Sequence, residues 1–211
     1  MSESNKTRKI LSQEQTIGAL QQSLTYQLQK HYSPNEAGQI INWLLEAILA
    51  MNHAQLIAHR QQEVPQAKAD QLYKAMERLE AGEPIQHIIG EVDFLGAKIA
   101  VGSSALIPRP ETEELADLII KQHKNFQGKL LDIGTGTGCL AIALAMAFSN
   151  AEIHAVEIAD DALELAQLNM EKNEVNVHLI KGDMRHLEQF LSQKWELIVC
   201  NPPYVLESEK A

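Results

Sequence analysis

The chain has 211 residues, 45% hydrophobic and 22% charged, ordinary globular composition with material for one large domain or two small ones. Eighteen basic residues against 28 acidic ones leave a net charge of −10, which disfavours extended nucleic-acid binding, because a phosphate backbone is gripped by Lys and Arg. No apolar run approaches the ~20 residues of a membrane span. The N-terminal MSESNKTRK lacks a signal-peptide core. Cys139 and Cys200 show no metal-ligand spacing and lie in apolar segments, which predicts reduced core thiols in a soluble, cytoplasmic chain.

Residues 1–12 are polar. Over residues 13–31, Ile17, Leu20, Leu24 and Leu28 mark one face of a helix. Ser33-Pro34-Asn35-Glu36 is a capping box with proline at the first helical position, and it opens a second helix through Ile40, Ile41, Leu44, Leu45 and Ile48. A third helix is expected over 53–61. A fourth starts near Pro65, carries Leu72, Met76 and Leu79, and stops at Gly82. Residues 1–82 therefore read as a small all-α bundle. Its histidines, His31, His53 and His59, have no ligand spacing, and no metal is expected. The bundle is either a partner-docking module or a stabilising cap.

Residues 83–110, EPIQHIIGEVDFLGAKIAVGSSALIPRP, change character. Short apolar runs broken by Gly90, Gly96 and Gly102 predict a β-hairpin linking two domains. Pro108-Arg109-Pro110 stiffens its exit, and Glu111-Thr112-Glu113-Glu114 places acids in the first turn of a helix. Arg109 to Glu113 are either a linker and a charged helix start or the flank of a ligand site, since this helix directly precedes the first strand of the third segment, 111–211; the family resemblance given below favours the second.

In that segment strands are predicted near 129–133, 152–157, 176–181 and 195–200. Helices are predicted near 138–148 and 160–173, with a short one near 186–191. Alternating strands and helices imply a parallel sheet with helices on both faces and ligands beyond the carboxyl ends of the strands. Between the first strand and its helix lies Gly134-Thr135-Gly136-Thr137-Gly138. Glycines there let a ligand approach bare backbone at a helix N-terminus. The spacing departs from the dinucleotide fingerprint G-x-G-x-x-G, and Asp132 at the strand end would repel a pyrophosphate. A ligand carrying an ammonium and a sulfonium would welcome that charge. Glu157, closing the next strand, can hold two ribose hydroxyls. Asp132, the glycines and Glu157 thus suit S-adenosylmethionine (SAM).

Asn201-Pro202-Pro203-Tyr204 follows the last strand. The prolines remove two backbone donors and lock φ, which leaves rigid carbonyls to accept hydrogen bonds. The Asn201 oxygen adds another acceptor, and Tyr204 an aromatic face. Such a site can grip both hydrogens of a planar –NH₂ group and aim its nitrogen at an electrophilic methyl. That chemistry fits a carboxamide or an exocyclic base amine.

The combination D-I-G-T-G-T-G, a Glu157 strand end, N-P-P-Y and the upstream L-I-P-R-P-E-T-E resembles the HemK/PrmC family over roughly residues 13–206. These are SAM-dependent methyltransferases acting on the glutamine side-chain nitrogen of the GGQ motif in peptide chain release factors. The resemblance implies a Rossmann-like class I α/β methyltransferase domain preceded by the helical domain. It implies that Gly134 to Gly138 cradle the methionine part of SAM, that Glu157 holds the ribose, and that Asp183 and Met184 lie beside the adenine. Asn201, Pro202, Pro203 and Tyr204 would bind the glutamine amide, with Asn201 also near SAM. The helical domain would dock the release factor, and the protein is expected to be a monomer. Family members continue about seventy residues past N-P-P-Y, so a chain ending at Ala211 reads as C-terminally truncated. The alternatives are an N6-adenine methyltransferase of DNA or RNA and a non-catalytic SAM-binding fragment.

Overall fold

The computed structural model describes residues 15–186, 188 and 194–201. The chain divides into two compact units, Met1–Ile89 and Gly90–Ala211.

The first unit is helical. Helix α1 (Ile17–Leu28) is capped by the Thr16 side chain, which accepts from the Ala19 N–H. Helix α2 (Pro34–Leu49) is capped by Ser33 accepting from Glu36 N–H, with proline in the first turn, as its sequence predicts. Helix α3 (His53–Ala58) carries a full capping box that the sequence reading missed: Asn52 accepts from Gln55 N–H, and the Gln55 side chain accepts from Asn52 N–H. Helix α4 spans Gln66–Glu80 and helix α5 Ile85–Ile89. Leu24, Leu28, Ile41, Leu45, Leu72 and Met76 are almost wholly buried. Each such side chain contributes about 1.5–3 kcal/mol by leaving water.

The hairpin expected over 83–110 is shorter than its sequence suggested. Ile85–Ile89 is a helix, not a strand, because Ile85, Ile88 and Ile89 share one helical face and pack on the helical core. The hairpin proper pairs β1 (Glu91–Phe94) antiparallel with β2 (Ala97–Ala100). Its two turn residues, Leu95 and Gly96, both take positive φ, 47° and 85°, the pattern of a tight hairpin turn matched to strand twist. Phe94, Ala97 and Ile99 are buried in the core of the second unit, so the hairpin is part of that core.

The second unit is built on four parallel strands, β3 (Lys129–Ile133), β4 (Glu152–Glu157), β5 (His178–Lys181) and β6 (Leu197–Cys200), in the order β5-β4-β3-β6. Helices α6 (Pro110–Gln122), α7 (Cys139–Ala147) and α8 (Asp160–Lys172) connect or precede them. Leu130, Ile153, Ala155 and Val199 join the buried cluster that α6, α7, α8 and the hairpin also supply. On the opposite sheet face, Leu131, Ile133 and Val156 pack with Ile180 and Trp195. Helices were expected on both faces; among the described residues the helices pack on one. The short helix expected near 186–191 falls almost entirely outside the described residues. Cys139 is buried as expected, whereas Cys200 is exposed: β6 ends the sheet order, and Ile198 and Cys200 face away from buried Val199.

One buried polar side chain locks this core. Asn169 of α8 accepts from the Ala100 N–H at 2.7 Å and donates to the Ala100 carbonyl at 3.0 Å and the Thr137 carbonyl at 2.9 Å. Its amide spends both hydrogens and its oxygen, and it fastens the hairpin and the glycine turn to the same helix. The signal was an Asn on the face set by Ala162, Ala166 and Met170.

Candidate cofactor and substrate pocket

The carboxyl ends of β3, β4 and β6 open into a cavity of about 530 Å³. It is lined by Asp132, Gly134, Thr135, Gly136, Thr137, Glu157, Met184 and Asn201, all expected from sequence. Gly138 and Asp183 do not line it. Gly138 starts α7 with its N–H bound to the Thr135 carbonyl, at φ 80°, where an L side chain would be strained although a Cβ would make only ordinary contact with Ala166 and Ile142. Asp183 is engaged by the Arg185 guanidinium, whose hydrogen bonds hold its carboxyl down at about 2. Pro202, Pro203 and Tyr204 lie outside the described residues. The sequence reading missed the wall made by Ser104–Pro108, where prolines at 108 and 110 were the available signal. Of the stretch Arg109 to Glu113, Arg109 and Thr112 reach the cavity. Glu113 instead accepts from the Leu95 N–H at 2.9 Å, bracing the strained hairpin turn.

The glycine turn is held by β4. Gly134 and Thr135 N–H both donate to the Val156 carbonyl, at 2.9 and 3.0 Å. Gly136 N–H donates to Glu157 Oε2 at 3.0 Å, while Glu157 Oε1 accepts from Ile158 and Ala159 N–H at 2.8 and 3.1 Å. Gly134 sits at φ 74° with open space where a Cβ would project. Any side chain there would be strained and would intrude where a ligand meets backbone.

Asp132 is 2% exposed and accepts from Thr135 Oγ1 at 2.6 Å. Burial pushes its carboxyl up to about 6, against the lowering effect of hydrogen bonds from Thr135 and the Ala141 backbone, with Glu157 adding repulsion. Among the described residues no cation pairs with it. A buried carboxylate beside an open cavity favours a cationic ligand. Beside it, burial raises the Cys139 thiol to about 12, so that sulfur is neutral and no nucleophile.

Asn201 closes the site at the end of β6. Its side-chain nitrogen donates to Thr112 Oγ1 at 2.6 Å, and Thr112 is itself 8% exposed. The hydrogen bond joins the N-P-P-Y segment to the I-P-R-P-E-T-E segment and orients the Asn201 side chain.

The family model of the PrmC N-terminal domain matches residues 19–90, and that of the methyltransferase small domain matches residues 110–211. Curated relatives named release factor glutamine methyltransferase include one from Flavobacterium psychrophilum, 39% identical over 79% of this chain and 60% of its own length. One from Bacteroides thetaiotaomicron is 35% identical over 87% of this chain and 66% of its own length, and one from Escherichia coli 33% identical over 87% and 65%. The chain thus spans about three fifths to two thirds of the length of these relatives. Its parallel sheet, glycine turn and flanking helices form the Rossmann-like α/β fold of class I SAM-dependent methyltransferases. Matched in both its helical and its α/β parts, the chain belongs to the HemK/PrmC family.

Proposed function

We propose that this chain carries the SAM site and the amide site of a cytoplasmic, monomeric methyltransferase that modifies the N5 nitrogen of the GGQ glutamine in peptide chain release factors. The observation that carries the reading is Asn201, tethered by Thr112 at the rim of a pocket whose floor is a buried carboxylate with no cation partner among the described residues. The curated relatives bear the same activity in their names. In this reading the helical residues 1–82 dock the release factor, and 111–211 hold cofactor and substrate amide, with Ser104–Arg109 of the linking stretch 83–110 completing the pocket wall. No helix among the described residues is long and apolar enough to cross a membrane.

SAM, when bound, supplies an electrophilic methyl group on a sulfonium centre. Asp132 provides the charge that favours a cationic cofactor over a pyrophosphate. Glu157 offers its carboxylate to ribose hydroxyls, and its hydrogen bond to Gly136 N–H keeps the glycine turn against the same ligand. Asn201 accepts one hydrogen of the substrate –NH₂ through its oxygen, while its own –NH₂ stays on Thr112. A carboxamide nitrogen is weakly basic because its lone pair is delocalised, so orientation rather than a general base does most of the catalytic work. The amide proton becomes acidic as the C–N bond forms and leaves late, to solvent.

Labelled SAM incubated with the protein and either a release factor or duplex DNA tests the proposal. Label on the GGQ glutamine is the expected result. Label in DNA, with none in the release factor, would overturn it.

A further inference from the structure

On the sheet face opposite the packed helices, at the amino ends of the strands, a second cluster of ligating side chains stands away from the pocket. Glu152 and His154 alternate along β4 and share one face, and His178 is the parallel cross-strand partner of His154 on β5. Ligand atoms from all three lie within 4.8 Å of one another. The two imidazole rings are 4.6 Å apart and tilted 31°, and Trp195 packs edge-on against His154 at 4.9 Å. His154 is 9% exposed, yet only its Nε2 is engaged, 2.7 Å from Glu152 Oε1. Its Nδ1 is buried without a hydrogen-bond partner. The nitrogen facing the cluster is Nε2, the one shared with the Glu152 carboxylate.

We propose that Glu152, His154 and His178 form a binding site for a divalent first-row transition ion of the zinc class. Two imidazoles and one carboxylate are the donor set such ions prefer over magnesium or calcium, which take oxygen ligands. Tetrahedral ligand atoms at about 2.0 Å from zinc stand roughly 3.3 Å apart, so ligand-atom separations would have to close by up to about 1.5 Å, within reach of side-chain rotation. Among the described residues Lys129 Nζ, 3.2 Å from Glu152 Oε1, is the cation that competes at the cluster, and its half-exposed side chain can yield to a divalent ion. Solvent completes the coordination on the His178 side, where the cluster is exposed. Glu152 and His178 are the first residues of their strands, whereas the pocket lies beyond the last, so the ion would staple β4 to β5 without touching the methyl-transfer site.

Zinc titrated calorimetrically into the Cys200→Ser protein, which removes the exposed thiol as a rival ligand, tests this. The expected result is one equivalent bound, at least roughly tenfold weaker in both His178→Ala and Glu152→Gln, with calcium not binding. His178 is exposed, so its replacement leaves the fold intact, which circular dichroism checks. Equal zinc affinity in His178→Ala and its parent, or calcium binding as tight as zinc, would overturn the proposal.

Discussion

The Asn201 side-chain nitrogen donates to Thr112 Oγ1 at 2.6 Å, across 89 positions of sequence. The two residues belong to motifs that sequence reading treated separately, and the bond makes them one device. Thr112 is buried enough that water does not readily replace it. Thr112→Val keeps the shape and deletes the hydroxyl. SAM affinity should stay within about twofold, while single-turnover methyl transfer should fall ~10–100-fold, the cost of a small misplacement at a reacting centre. Thr112→Ser should restore most of the rate. A wild-type rate in Thr112→Val would show that Asn201 is held by other contacts.

Glu157 serves ligand and loop together, since its carboxylate already accepts from Gly136, Ile158 and Ala159. Glu157→Ala should therefore weaken SAM binding by about 1–3 kcal/mol, the range for losing hydrogen bonds to a charged group. Calorimetric titration reads this directly. Unchanged affinity would remove Glu157 from the cofactor site.

Asp132 makes SAM binding depend on pH. Its folded carboxyl titrates at about 6, above the ~3.9 of an unfolded aspartate. In the empty protein the protonated form is favoured, so this group's contribution to stability is present below ~3.9 and is lost as pH rises through about 6. A cationic ligand prefers the ionised form, so SAM affinity should rise with pH up to about 6 and level off above. At pH 5 roughly one carboxyl in ten is ionised, and affinity should lie about tenfold below the plateau. Asp132→Asn should flatten the profile; an identical pH dependence in that variant would assign the effect elsewhere.

Asn169 is a stability prediction. Asn169→Leu would leave the Ala100 N–H and the Ala100 and Thr137 carbonyls buried without these partners. We expect a loss of about 2–4 kcal/mol, read as a lower urea midpoint at unchanged slope. A shift below about 0.5 kcal/mol would mean water takes over all three bonds.

Much of this was legible in the chain because the signals are local. Period-3.6 apolar faces gave the helical unit, and strand β4 falls at the expected 152–157. The ligand loop was readable because a glycine turn between strand and helix has few other uses. What escaped depends on register or on tertiary contact. Ile85–Ile89 looked strand-like by composition, and its packing on the helical core decided otherwise. The Thr112–Asn201 and Asn169–Ala100 bonds join residues 89 and 69 positions apart, which no local pattern encodes. Nor does the His154–His178 pair show in the sequence, since it exists only through the parallel register of β4 and β5.

Asn201 itself offers the sharpest test, because its two substitutions separate position from charge. Asn201→Ala removes the acceptor for the substrate amide and leaves the Thr112 hydroxyl without its donor. Turnover should fall on the order of 10²–10³-fold, as when one preorganised polar contact is removed. Because the lost contact tightens chiefly in the transition state, substrate binding should change little. Asn201→Asp is different in kind. A carboxylate cannot donate to Thr112 Oγ1, but the Thr112 hydroxyl can donate to it, so the tether survives with its direction reversed. The second carboxylate oxygen can still accept from the substrate –NH₂. Asn201→Asp should therefore retain more activity than Asn201→Ala, and adding Thr112→Val to it should erase the difference. Single-turnover transfer from labelled SAM to a release factor, run on these three variants and wild type, orders them. Equal rates for Asn201→Asp with and without Thr112→Val would break the tether argument, and a wild-type rate in Asn201→Ala would break the assignment of the amide site.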